Sequence, residues 1–150
     1  HGFSLGYPGV EMLDQGWSKT ETWGTWTLGS DASLTFKPEL TDTDALHVYF
    51  MVFPPPRYPD PKQSVSVRLD GEFVDTWTFT EADSDTCIHR EISLSLSKKT
   101  EPPYSLKFEI SSPISPETLG LGGDKREVGF GLMKIVEASA SSPHLGNACQ

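Results

Sequence analysis

Three of the four tryptophans, Trp17, Trp23 and Trp26, fall in the stretch GWSKTETWGTWTLG at residues 16–29, with Glu21 among them. Indole rings offer flat apolar faces to the C–H face of a pyranose, and a nearby carboxylate or guanidinium takes the sugar hydroxyls. The same rings also fill β-sandwich cores, where burying one contributes about 2–3 kcal/mol. Spacing separates the two uses only in part. Trp23 and Trp26 are three residues apart, so in a regular strand one faces the core and the other the rim or solvent. Trp17 precedes that strand, where an exposed ring is easier to place. Trp77 is the fourth candidate ring.

A second group of candidates lies late in the chain, where LGGDKREVGFG carries Asp124 and Arg126. First and last strands pair in many jelly rolls, so Glu21 and Arg126 are expected within ion-pair distance, or one water apart. One reading is a partly buried ion pair pinning the two ends, costing about 3–5 kcal/mol to break from one side. The other makes both residues hydroxyl-reading groups beside a tryptophan platform. Asp124 either caps a turn or binds Ca²⁺, although the loop holds few acidic ligands for that ion. Glu21 and Asp124 would also serve a glycosidase, which needs two facing carboxylates; the spacing does not demand it. Tyr58, beside Arg57, sits in PPPRYPDP at residues 54–61. Proline this dense is barred from a central strand, so the segment reads as a stiff rim loop and a second wall for a binding cleft.

His1 raises a third chemistry. Secreted copper oxygenases that cut polysaccharides hold copper with an N-terminal histidine, and here His47, His89 or His144 would supply the second imidazole. Other enzyme signatures are thin: no nucleophile elbow, no zinc-ligand spacing, no glycine loop to cradle phosphate. The reading therefore assigns no catalytic residue, metal or cofactor.

The elements that must position these residues are strands. Apolar residues alternate with polar ones at Leu34 and Phe36, from Leu46 to Val52, from Val65 to Leu69, from Ile92 to Leu96 and from Leu106 to Ile110. A period of two over short runs marks strands with one buried face. Asp70-Gly71 suits a two-residue hairpin turn. The run EVGFGLMKIVEA changes phase after Leu132, which predicts a β-bulge near Gly131. No window keeps a helical stripe. About eight short strands predict a single all-β domain, an antiparallel β-sandwich of jelly-roll-like order over residues 1–137, followed by a flexible tail at 138–150.

At 150 residues the chain has the length of one domain, and its net charge of −9 disfavours nucleic acid and anionic membrane as partners. The longest apolar run, VYFMVF at 48–53, is far short of the ~20 residues that span a bilayer. No signal-like segment opens the chain, which reads as a mature protein or an excised domain. A disulfide between Cys87 and Cys149, the two cysteines, stays open.

The motifs FSLGYP, GWSKTETWGTWTLG and SPETLGLGGDKREVGFGLMKI resemble those of an uncharacterised bacterial domain. It is similar to the C-terminal module of the phosphoglycerol transferase that decorates osmoregulated periplasmic glucans, and to modules on membrane glycosyltransferases. Gly16, Trp17, Ser18, Glu21, Trp23, Gly24, Trp26 and Thr27 follow its opening pattern, and Leu119, Gly120, Asp124, Arg126 and Gly129 its closing one. That family often has arginine where this chain has Thr25, and its pattern makes the position of His1 internal in longer relatives. The resemblance implies a periplasmic or extracellular accessory domain near polysaccharide chemistry, and no particular reaction. The combined expectation is a non-catalytic module that binds or presents a glucan-type saccharide for a parent transferase, with Trp17, Glu21, Trp23, Trp26, Tyr58, Asp124 and Arg126 as ligand-binding residues. The alternatives are a docking module without ligand and, third, the copper oxygenase.

Overall fold

The computed structural model describes residues 1–4, 6–83, 87–99 and 101–139. Within these, nine strands run in chain order: β1 (Leu13–Gln15), β2 (Thr25–Trp26), β3 (Asp31–Phe36), β4 (Ala45–Val52), β5 (Val65–Leu69), β6 (Glu72–Trp77), β7 (Ile88–Ser93), β8 (Tyr104–Ile110) and β9 (Phe130–Ala138). They form two antiparallel sheets, one of order β2-β9-β4-β7 and one of order β1-β3-β8-β5-β6. From β2 onward this is the jelly-roll order, two interlocked Greek keys, with β1 added at the edge beside β3.

Alternation explains the pairing of the sheets. Leu34 and Phe36, Val65, Val67 and Leu69, and Leu106 and Phe108 turn inward from the five-stranded sheet; Leu46, Val48, Phe50 and Ile135 meet them from the other. Aromatic rings tie the layers: Phe108 of β8 stacks on Phe130 of β9 at 4.6 Å, and Phe50 of β4 on Trp77 of β6 at 5.2 Å. Trp77 is thus a core ring, 3% exposed, and not a surface platform.

Two local expectations hold, the second displaced by two residues. Asp70 and Gly71 both take positive φ, 50° and 85°, and close the β5–β6 hairpin. On β9 the register with β4 jumps from Lys134 opposite Tyr49 to Leu132 opposite Phe50, so the bulge falls at Met133. One expectation fails. The alternation from Ile92 to Leu96 does not continue as strand, because β7 ends at Ser93 and Leu94–Leu96 form a 3-10 turn that leaves Leu96 54% exposed. At the end of β9, Ala138 still pairs with Ala45, one residue past the expected domain boundary.

The free edge of β9 is filled by two separate pieces of chain. Thr25 and Trp26 of β2 lie opposite Leu132 and Gly131, while Gly2 bridges to Lys134. Phe3 N donates to Met133 O at 3.0 Å, and Phe3 itself is fully buried. Among the described residues no helix is long and apolar enough to cross a membrane. The pairing of Cys87 with Cys149, the position of His144 and residues 140–150 lie outside the described residues.

Candidate functional site

The tryptophan segment is a small hairpin laid against β9. Ser18 N donates to Trp26 O, and Leu28 N to Gly16 O, both at 2.7 Å, so residues 16–18 run antiparallel to 26–28. Buried hydroxyls lock the two arms: Thr25 Oγ1 donates to Ser18 O at 3.0 Å, and Trp26 N donates to Ser18 Oγ at 3.1 Å. The chain between the arms turns back at Glu21, whose N–H donates to Gly24 O at 2.8 Å. Gly24 presses against β9 so closely that a Cβ there would lie 2.2 Å from Leu132 O.

This turn overrides strand alternation. Trp23 and Trp26 do not face opposite ways. Both rings lie over Gly131, where an added Cβ would meet Trp23 Cη2 at 2.9 Å and Trp26 Cζ3 at 3.0 Å. They pack edge to face at 5.0 Å, and Trp26 in turn meets Phe53 at 6.3 Å. Both tryptophans are half-buried, which leaves part of each indole in solvent. Trp17 behaves differently. Its Nε1 donates to Ser33 O at 2.7 Å, and its ring packs against the core rings Phe108 and Phe130. With its polar atom satisfied and its body on the core, Trp17 is an anchor, although it is half-buried like Trp23 and Trp26.

The charged group centres on Arg126. Its Nε and Nη2 donate to Asp124 at 3.0 and 2.7 Å, and Asp124 Oδ1 also accepts the Arg126 backbone N–H at 3.0 Å. Asp124 therefore caps its own turn, as one of the two sequence readings held. These bonds, the side-chain one first, hold its carboxyl down from 3.8 to about 2 and push the guanidinium up. With both oxygens engaged by Arg126, Asp124 is a poor Ca²⁺ ligand. A carboxyl held that low suits the ionised rather than the protonated member of a glycosidase pair.

Glu21 does reach Arg126, with Oε2 3.8 Å from Nη1. The ends of the domain thus meet as expected, but the pair is not the buried lock of the stronger reading. Each side chain is about 40% exposed, the contact is longer than a hydrogen bond, and Asp124 holds the guanidinium more tightly. Such a pair is worth about 0–1 kcal/mol. Glu21 Oε2 itself is shielded from solvent and has no hydrogen-bond partner among the described residues.

Tyr58 stands apart from the tryptophans. Its ring lies under the Arg57 guanidinium at 5.5 Å. Together with Pro54, Pro56, Pro61 and Phe79 it lines a cavity of about 240 Å³ to which no tryptophan contributes. That cavity is separate from the two indoles, and the ring contact between the regions is that of Trp26 with Phe53, the residue before the proline loop. Gln63, which sequence reasoning passed over, pins that loop. Its Nε2 donates to Phe53 O at 2.8 Å and Ser112 O at 2.7 Å, and its Oε1 accepts Ser112 N–H at 2.9 Å.

Among the described residues, neither His47 nor His89 joins His1 in a two-histidine copper arrangement. His1 Nε2 meets Glu137 Oε2 at 2.5 Å, while His47 Nδ1 meets His89 Nε2 at 2.6 Å. Among the described residues the metal-capable groups beside His1 are Glu39 and Glu137, with no second histidine.

No protein-family model matches the chain, and no curated protein does. Among solved structures it is similar to part of dimeric latent PorU from Porphyromonas gingivalis, at 9% identity and a TM-score of 0.43, over 85% of this chain. It spans 12% of the length of that protein.

Proposed function

We propose that this chain is a non-catalytic accessory domain that binds a neutral or lightly substituted saccharide through Trp23 and Trp26. One observation carries the reading: Glu21 opens the turn that carries two half-buried indoles, and its Oε2 has no hydrogen-bond partner among the described residues. A shielded acceptor left unsatisfied costs free energy, and a turn of the Glu21 side chain, about 40% exposed as a whole, would bring it to a sugar hydroxyl that donates the missing bond. Arg126, held in place by Asp124, adds donors at the same end of the domain. The net charge of −9 favours a ligand that is not a polyanion. The resemblance to modules of glucan-modifying transferases supports a glucan-type ligand, a parent transferase and a periplasmic or extracellular setting. Trp17 and Trp77 support the fold beneath the site and do not touch the ligand.

Linear and cyclic β-glucans titrated against the domain, followed by tryptophan emission and calorimetry, test the proposal. Weak saturable binding is expected, on the order of Kd 1 mM or tighter. Trp26→Ala and Glu21→Gln should abolish it. If no glucan alters emission or heat, the domain is a docking module and the saccharide proposal is wrong.

A further inference from the structure

β9 closes on a carboxylate that is turned away from water. Glu137 lies opposite Leu46, on the inward-facing set that includes Ile135, and its side chain is 6% exposed. Backbone N–H groups of Glu39 and Leu40 donate to it at 2.9 and 3.0 Å, Thr43 Oγ1 at 2.6 Å, and the His1 imidazole completes the shell. His1 is itself held in place: its nitrogen donates to Ile135 O and its carbonyl accepts Ile135 N–H, both at 2.9 Å, with its ring edge-on to Phe36 at 4.9 Å.

These bonds account for Glu137, but not for the side chain of Glu39. A second carboxylate lies beside the first, and one ligand atom from each of His1, Glu39 and Glu137 falls within 4.8 Å of the others. We propose that these three residues bind a divalent first-row transition-metal ion, with Zn²⁺ as the type case. Charge supports it, because two carboxylates and a neutral imidazole balance a dication. Ligand chemistry selects the ion: one imidazole nitrogen with two carboxylate oxygens suits zinc, whereas Ca²⁺ requires six or more oxygens.

Geometry is close to what such an ion requires. At bond lengths of ~2.1 Å, tetrahedral ligands sit ~3.4 Å apart. The His1–Glu137 contact would open by ~0.9 Å and Glu39 would close by at most ~1.4 Å, both within reach of side-chain torsions. Glu39 is exposed and can swing. Three protein ligands leave a fourth position for water. The ion would join residues 1–3, the β3–β4 connection and the end of β9, three pieces of chain distant in sequence. Its role is to clamp this end of the sandwich, independently of any saccharide.

The test is calorimetric titration of the intact domain with Zn²⁺ alone, with thermal unfolding in its presence and absence. One saturable site and a concentration-dependent rise in Tm are expected. Glu39→Gln should weaken binding by ~tenfold or more and leave the metal-free Tm unchanged, because its side chain makes none of the bonds that hold Glu137. His47→Ala with His89→Ala should leave Zn²⁺ affinity unaltered. Absence of saturable binding at about 1 mM Zn²⁺ would overturn the proposal. So would a Glu39→Gln variant that binds like the parent, or affinity that disappears with the His47–His89 pair.

Discussion

Removing the Gln63 side chain should destabilise the domain by about 2–4 kcal/mol. Gln63 is 8% exposed, and its amide joins the start of the proline loop to the segment after β8. Gln63→Ala removes four hydrogen bonds, orphaning Phe53 O and Ser112 O as acceptors and Ser112 N–H and the Ser111 hydroxyl as donors. At about 1 kcal/mol for each lost bond this gives ~4 kcal/mol as an upper figure. Water entering the adjacent cavity would return part of that loss. For a domain of this size the change lowers Tm by roughly 6–12 °C. Two further variants separate bonding from packing. Gln63→Met keeps the volume and removes the bonds, so it should cost nearly as much as Ala. Gln63→Glu sets a carboxylate against two carbonyl oxygens, so it should be worst at neutral pH and recover on acidification. Urea unfolding at several pH values measures all three. A Gln63→Met protein as stable as the parent would refute the reasoning, since packing alone would then explain the alanine variant.

Two other outcomes follow from the tryptophan side of the domain. The folded pKa of Asp124 lies below its ordinary value, so its contribution to stability is fully present above about pH 4 and fades as pH falls from 3.8 through about 2. Asp124→Asn should flatten the stability–pH curve in that window, as read by chemical unfolding from pH 2 to 6, and an unchanged slope there would count against the pairing. Gly131→Val should displace both indoles that rest on Gly131, at a cost of about 1–3 kcal/mol. Near-ultraviolet circular dichroism should change with it, and an unaltered aromatic signal would mean the rings are not seated there.

The legible parts of this fold were those set by alternation and turn chemistry. Val65 to Leu69 and Leu106 to Ile110 read correctly because one face of each strand is buried, and Asp70-Gly71 because positive φ restricts the residues allowed. The phase change after Leu132 marked the bulge, since an extra residue must shift the alternation. Leu94 and Leu96 misled for the opposite reason: two leucines in phase do not reveal that a 3-10 turn follows Ser93. Trp23 and Trp26 misled because their shared face depends on a turn at Glu21–Gly24 and on the absence of a side chain at Gly131, a residue far away in sequence. Arg126 was placed near Glu21 by strand order alone, but its closer bond to Asp124 is local geometry that spacing does not encode. Glu137 and Gln63 went unnoticed because a lone polar residue in a strand pattern looks like surface until its donors are known.

The filling of the β9 edge by two distant pieces of chain also dictates an order of events in time. His1 and Ile135 exchange hydrogen bonds across 134 positions, and Thr25 meets Leu132. The β5–β6 hairpin can form as soon as it is synthesised, since its strands are joined by two residues. The four-stranded sheet has no such freedom, because its central strand β9 is the last to be made. During vectorial synthesis, the opening residues must wait unpaired while more than a hundred others emerge. Closing so long a loop adds little to the equilibrium cost, about 0.6 kcal/mol for each doubling of length. It weighs on the rate instead, and topologies dominated by such distant pairings fold in milliseconds to seconds. Until β9 arrives, β4 presents an unpaired edge to any neighbouring chain, and that interval is when the protein is most open to aggregation or capture by a chaperone.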